Sequence, residues 1–146
     1  MSFLSSMNIS ASGLTAQKQR LDIIAENIAN INTTRTEGGG AYQRKMVVFQ
    51  PIEQQDFRSV LSRTAKENTQ KGGVQITQVV EDEREFKAVY DPEHPVADAD
   101  GYVMMPNVDL IKETVDSMYA TRSYDANITA FNAIKMMATK ALDIGR

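Results

Sequence analysis

Residues 7–31 read MNISASGLTAQKQRLDIIAENIANI, and the spacing of their apolar side chains decides the fold class. Met7, Leu14, Leu21 and Ile28 recur every seven residues, with Ile24 and Ile31 falling three positions after Leu21 and Ile28. That is an a/d seam, better formed in its second half because Gln17 occupies a d position of the first. A seven-residue repeat carried on a 3.6-residue helix favours a left-handed supercoil with a partner. Ser10 or Ser12 is the expected start of this helix, and Gly13 weakens its first turns by about 1 kcal/mol relative to Ala. Asn30, Asn32, Thr33 and Thr34, followed by Gly38-Gly39-Gly40, are expected to end it.

A second helical pattern occupies the C-terminal end, from Pro106 onwards. Asn107 is the expected N-cap, with Asp109 and Glu113 near the positive end of the helix dipole and Lys135, Lys140 and Arg146 towards the negative end. Ile111, Val115 and Met118 begin an apolar stripe. After Arg122 and Asp125 it changes phase and continues through Ile128, Phe131, Ile134, Met137, Ala141 and Leu142.

Between the helices the period changes. Lys45–Gln50 reads as a strand stopped by Pro51, and Val74–Val79 alternates apolar and polar residues as a half-buried strand does. Phe86–Tyr90 is a third candidate, followed by the turn-rich Asp91-Pro92-Glu93-His94-Pro95, and Tyr102–Met104 is a short fourth. Arg58–Asn68 is polar and fits either a helical turn or a mobile loop. The expected architecture is therefore α+β, with long N- and C-terminal helices pairing as a coiled coil around a small β-rich middle insert. The expected boundaries are a helical arm at 1–36, the insert at 37–105 and the C-terminal helix at 106–146. So little β structure cannot cover two long striped helices, and exposed apolar surface of that extent marks an interaction site. A monomer with both helices folded over the sheet is the competing arrangement.

Bulk properties narrow the function. The net charge is −3 with Lys and Arg scattered along the chain, and a pI near 5.2 is unlike the basic face of a nucleic-acid binder. There is no Cys, which removes disulfides, thiol nucleophiles and Cys-based zinc sites. Eight Met and no Trp suit helix seams that repack against neighbours, and equally suit a plain core. The N-terminus lacks a basic region followed by an apolar run, so no Sec-type signal is expected, nor is a membrane span.

Reactive groups are sparse. His94 is the only histidine and lies in a turn between Glu93 and Pro95, so any Ser-His-Asp triad would have to be built on it. Asp91, His94, Asp98 and Asp100 are the one metal-like grouping and would be the ligands of a metal-dependent hydrolase. Asp98-Ala99-Asp100-Gly101 has half the look of a calcium loop, but aligning Gly101 places Val96 and Asn107 at the two key acidic positions. A tight turn is the expected reading, with no catalytic residue, cofactor or metal. Gly38-Gly39-Gly40 lacks the Lys-Ser/Thr of a phosphate loop and reads as a flexible joint, and Glu81-Asp82-Glu83 reads as a solvated face.

With these segments assembled, the chain closely resembles the proximal rod proteins of the bacterial flagellar basal body, of the FlgC type. The resemblance rests on Met7–Gln17, on Ile23–Arg35 (IIAENIANINTTR), and on Tyr42–Phe49. It continues through Tyr90–Pro95, Gly101–Val108, Ala120–Asn127 and Lys140–Arg146. Ala41 and Ala97 depart from the pattern, where a proline and a more polar turn residue are expected. The resemblance implies a structural subunit rather than an enzyme, its terminal helices lining an export channel with the β-rich insert outside. It implies export by the flagellar type III apparatus without cleavage, a periplasmic location, and a hollow shaft passing torque to the hook. The implied partners are other rod subunits and the inner-membrane ring and export apparatus, as homo- and hetero-oligomer. A standalone coiled-coil adaptor is the alternative.

The expected assembly residues are Leu14, Leu21, Ile24, Ile28 and Ile31 on the first helix, and Ile128, Phe131, Ile134 and Met137 on the last. Asn27, Asn30 and Thr33 are expected either to set register through buried hydrogen bonds or simply to cap and end the helix. Before assembly, the helical arms are expected to be partly disordered and to fold as neighbours cover them.

Overall fold

The computed structural model describes residues 3–52 and 72–144. Arg58–Asn68 and Arg146 lie outside the described residues. Helix α1 spans Phe3–Ala29 and helix α2 spans Leu110–Ile144, 27 and 35 residues long. At ~1.5 Å per residue they extend about 40 and 52 Å. Between them come β1 (Lys45–Pro51), β2 (Val74–Glu81), β3 (Lys87–Tyr90) and β4 (Tyr102–Met105). The protein is α+β, with two long terminal helices and a small β-rich middle.

The strands form two ribbons, β1 with β2 and β3 with β4. Beside the first ribbon, Asp82 N donates to Arg44 O (2.8 Å) and, at the other end, Ile52 N donates to Gly73 O (3.0 Å), so β1 and β2 run in opposite directions. The β3–β4 ribbon is antiparallel, with Lys87 opposite Met105 and Tyr90 opposite Tyr102. Its connection closes through the turn expected at Asp98–Gly101, where Gly101 N donates to Asp98 O (2.9 Å). Gly101 has φ +77, and a Cβ there would meet the Tyr90 ring at 3.0 Å, so only glycine fits both the backbone and the space.

Two helix starts differ from expectation. α1 begins at Phe3, well before Ser10 or Ser12, because nothing in residues 3–9 opposes helix. Ser12 instead turns its Oγ back to Ile9 O (2.7 Å) and accepts from Val74 N (3.1 Å), which ties the start of β2 to the helix. At α2 the cap is Asp109, whose Oδ1 accepts from the N–H groups of Ile111 (2.9 Å) and Lys112 (3.4 Å). Asn107 is occupied elsewhere. Its Oδ1 accepts from Arg44 N and its Nδ2 donates to Asp82 O and Arg84 O, cross-linking three loop segments.

The chain forms two compact units. One comprises Met1–Lys18, Phe49–Thr77 and Arg122–Arg146; the other comprises Gln19–Val48 and Gln78–Thr121. In the first, Ser10, Gly13 and Ala16 form the buried face of α1. In the second, Ile24, Ala41, Tyr42, Val103, Pro106 and Ala120 are buried. Of the largest fully buried side chains, Glu113, Val103 and Asn27, two are polar. A polar centre of this kind holds only if every group finds a partner.

Candidate assembly interface

In the second unit Asn27 is 1% exposed and uses its whole amide. Its Nδ2 donates to Lys45 O (2.9 Å) and Glu113 Oε2 (3.1 Å), while its Oδ1 accepts from Tyr42 Oη (3.0 Å) and Lys45 N (2.9 Å). Helix α1, the segment entering β1 and the first turn of α2 are thereby fixed to one side chain. No other residue type of this size offers two donors and a two-fold acceptor in one plane.

Glu113, fully buried, takes its second partner from Arg44, whose Nε donates to Oε1 at 2.6 Å. The rest of that guanidinium lies 3.5 Å from Asp82 and 3.5 Å from Asp116, and Asp116 also faces Arg20 at 3.4 Å. The glutamate therefore stays paired in a place where an isolated carboxylate would be strongly disfavoured. Going up α1 from Arg20 to Asn27, the partners on α2 descend from Asp116 to Glu113, so the two helices are antiparallel within this unit.

Three ionisations are displaced by this environment. Arg84 donates from Nε to Asp82 Oδ2 at 2.8 Å and holds that carboxyl down to about 2, against the upward effect of burial. The same contact raises the Arg84 pKa. Tyr42 is pushed up to about 12, first by burial and then by the nearby carboxylates of Glu26, Glu113 and Glu81. Asp82 corrects the expectation of a solvated acidic face: Glu81 and Glu83 are exposed, but the residue between them is buried.

The first unit is joined differently. A Cβ on Gly13 would lie 3.0 Å from Asn127 Oδ1, so α1 and α2 approach here as closely as a missing side chain allows. Asn127 turns its Nδ2 to Ser123 O (2.9 Å). Next to this contact, Gln17 Oε1 is buried without a hydrogen-bond partner among the described residues.

Of the expected assembly residues, Ile24 and Asn27 are buried. Leu14, Leu21, Ile28, Asn30, Ile31, Thr33, Phe131 and Ile134 are half-buried, and Ile128 and Met137 are exposed. Asn30 and Thr33 bond locally, Asn30 Nδ2 to Glu26 O (2.9 Å) and Thr33 Oγ1 to Asn30 Oδ1 (3.1 Å), where α1 gives way to a turn.

The covered positions of α1 include Ser10, Gly13, Ala16, Gln17, Arg20, Ile24 and Asn27, and Ser10, Gly13, Gln17, Arg20, Ile24 and Asn27 among them follow alternating steps of three and four. On α2 the same spacing links Glu113, Ser117, Ala120, Tyr124, Asn127, Phe131, Ile134 and Ala138. Apolar periodicity alone misses much of both lines, because small and polar residues hold many of their positions. Arg44, Glu113, Tyr42, Asp82 and Asn107 were not expected here. The signal that could have found Glu113 is the seven-residue spacing of Glu113, Ala120, Asn127 and Ile134; no periodicity marks the other four.

His94 stabilises its own turn, accepting from Val96 N at Nδ1 (3.3 Å) and donating from its backbone to Asp91 O (3.3 Å). Among the described residues no group of three or more His, Cys, Asp or Glu could hold a metal ion, and no helix is long and apolar enough to cross a membrane.

Comparison with known proteins meets this geometry at both ends of the chain. Residues 7–35 match the flagella basal body rod protein family, and residues 99–144 match the flagellar basal body rod FlgEFG protein C-terminal family. The sequence is 45% identical to the flagellar basal-body rod protein FlgC of Bacillus subtilis (strain 168), over the full length of both chains. It is 40% identical to the FlgC protein of Escherichia coli O6:H1, again over both full lengths. It is 39% identical to that of Borreliella burgdorferi, over 99% of this chain and 98% of the other.

Proposed function

This chain belongs to the flagellar basal-body rod proteins, and from that premise we propose that its terminal helices are the assembling layer of a hollow drive shaft. It is a structural subunit of the basal body rod, not an enzyme, and it assembles with other rod components. In the proposed arrangement residues 1–36 and 106–146 line the export channel, and residues 37–105 sit outside them. The shaft carries torque across the periplasm to the hook, and its base meets the inner-membrane ring and export apparatus. The subunit reaches that position through the flagellar type III apparatus, without cleavage.

The full-length likeness to rod proteins carries the reading. What the helices leave uncovered supports it. Along the last third of α2, Met136, Met137, Leu142 and Ile144 are exposed, and Leu14, Leu21 and Ile28 on α1 are covered only in part. A chain of this size has no internal use for such surface, whereas neighbouring subunits would bury it. The Asn27–Glu113–Arg44 network would set the register of the paired helices against which neighbours pack.

Deletion of the gene in its host, with imaging of basal bodies and a swimming assay, tests the proposal. Loss of the rod and of swimming is expected, restored by the intact gene but not by one lacking residues 1–31. Complete rods and normal swimming in the deletion strain would overturn it and bring the adaptor reading forward.

A further inference from the structure

Two surfaces of the second unit complement each other and have no partner within it. The first is the β3–β4 ribbon. Its register places Tyr90 and Tyr102 directly opposite one another, with Ala88 and Met104 on the same face. The two rings meet edge-on with centroids 5.3 Å apart, and Tyr90, Tyr102 and Met104 are all exposed. The loop at the tip adds Asp91, Glu93, Asp98 and Asp100, and from Ala88 to Ile111 the chain has no Lys or Arg. Among the described residues, none of these four carboxylates has a cationic partner. An aromatic and methionine face beside uncompensated charge has the composition of a protein contact.

The second surface is an open groove of about 550 Å³ between β1 and the start of α2. Met46, Ile111 and Val115 supply its apolar lining, and Ile111 is 76% exposed. Arg84 and Lys112 line it as cations, beside Arg44, Asp82 and Asp116, which are paired with one another. The Arg84 side chain is half exposed behind its contact with Asp82, and Lys112 has no anionic partner among the described residues. Groove and ribbon thus both offer apolar surface, and among the described residues the uncompensated charge of the groove, Lys112, is opposite in sign to the acidic ribbon tip.

We propose that the acidic tip and tyrosine face of the β3–β4 ribbon dock into the Met46–Ile111–Val115 groove of a second copy of this chain. The contact joins two different patches, so each copy keeps a free ribbon and a free groove and can bind another. Such a heterologous contact generates a helical row rather than a closed dimer. The inference rests on the rod reading, for which a row of copies is a natural element, and names the surfaces that would build it. Opposed charges at the rim would steer and orient docking more than tighten it.

The absence of Cys allows a direct test. Ala99 is exposed at the ribbon tip and Val115 lines the groove. The double variant Ala99→Cys/Val115→Cys replaces the intact gene in the host, and basal bodies are oxidised and run on a non-reducing gel. The expected result is a ladder of multiples of one subunit. Each single variant alone should stay at the monomer position, while the two single variants expressed together should give a dimer. Lys112→Glu in the double background should reduce the ladder severalfold, because it sets a like charge against the acidic ribbon tip.

Swimming cells with complete rods and no ladder would overturn this contact and leave the rod reading intact. A dimer from either single variant alone would show a symmetric contact and overturn it too, as would a cross-link only to a protein of different mass. Failure of the rod reading itself would show separately, as normal swimming when the gene is deleted.

Discussion

Asn27→Asp is the sharpest probe of the buried network, because it keeps the shape and removes both N–H donors of the side chain. The Nδ2 that gives hydrogen bonds to Lys45 O and Glu113 Oε2 becomes an oxygen facing both acceptors, at 2.9 and 3.1 Å. Two like charges ~3 Å apart repel by about 5 kcal/mol at an effective dielectric constant of ~20. The protein escapes part of this by keeping a proton on one of the two carboxyls. A loss of about 3–4 kcal/mol at neutral pH is expected, a large share of the ~5–15 kcal/mol that holds a domain folded.

Asn27→Ala provides the reference. It orphans the Tyr42 hydroxyl, the main-chain N–H and C=O of Lys45 and Glu113 Oε2, at about 1–3 kcal/mol for each group that water cannot reach. Counting the tyrosine and one main-chain group gives about 3 kcal/mol, or roughly 6–12 °C in Tm for a chain of this size. The two variants should part company with pH. In Asn27→Asp the shared proton is held more tightly in the folded than in the unfolded state, so the folded-state pKa is raised. Stability is then highest below the ordinary carboxylate range and falls as pH rises through the raised value. Asn27→Ala has no such proton. Thermal unfolding followed by far-UV circular dichroism between pH 4 and 7.5 would show the Asp variant gaining on the Ala variant as acid is added. An Asp variant within about 1 kcal/mol of the parent at pH 7, or a deficit independent of pH, would refute a direct Asn27–Glu113 hydrogen bond.

Three further outcomes are expected. Tyr42, pushed up to about 12, should keep its proton after the unfolded chain would have lost it near 10, so stability should hold below pH 10 and fall between 10 and 12; absorbance at 295 nm should show one tyrosine ionising together with unfolding, a step missing in Tyr42→Phe. Asp82, held down to about 2, contributes stability above its ordinary value of 3.8 that is lost as pH falls towards 2; Asp82→Asn should flatten this acid limb by about 1 kcal/mol after allowance for the half-exposed Arg84, and an unchanged limb in urea titrations would argue against the pairing. Gly13→Ala should gain little or lose stability despite the ~1 kcal/mol helix preference of Ala, since its Cβ meets the Asn127 amide at 3.0 Å; in an Asn127→Ala background the preference should reappear, and equal effects in both backgrounds would show that the two residues are not in contact.

The sequence by itself determined the element types and their order. Seven-residue recurrence at Leu14, Leu21 and Ile28 lines one face of a helix, and the alternation through Val74–Thr77 lines one face of a strand. Gly101 marked its turn because few other residues tolerate that backbone. The order of short motifs along the chain was enough to indicate the family. Each of these signals is local, carried by residues within a few positions of one another.

Only the tertiary structure decided which helix faces are covered and what holds them. Ile111, Val115 and Met118 form a clean apolar stripe, yet they are exposed, while Glu113 and Ala120 on the same helix are fully buried. Hydrophobicity could not foretell this. A glutamate is buried only where a guanidinium and an amide arrive together, and Arg44 and Asn27 lie 69 and 86 positions away in sequence. Likewise Asn107 had the right chemistry for a helix cap, but Arg44, Asp82 and Arg84 claimed its side chain and left the cap to Asp109. Polar pairing depends on distances across the fold, whereas helix and strand periods depend on neighbours along the chain; that is why the architecture was legible in the sequence and the register was not.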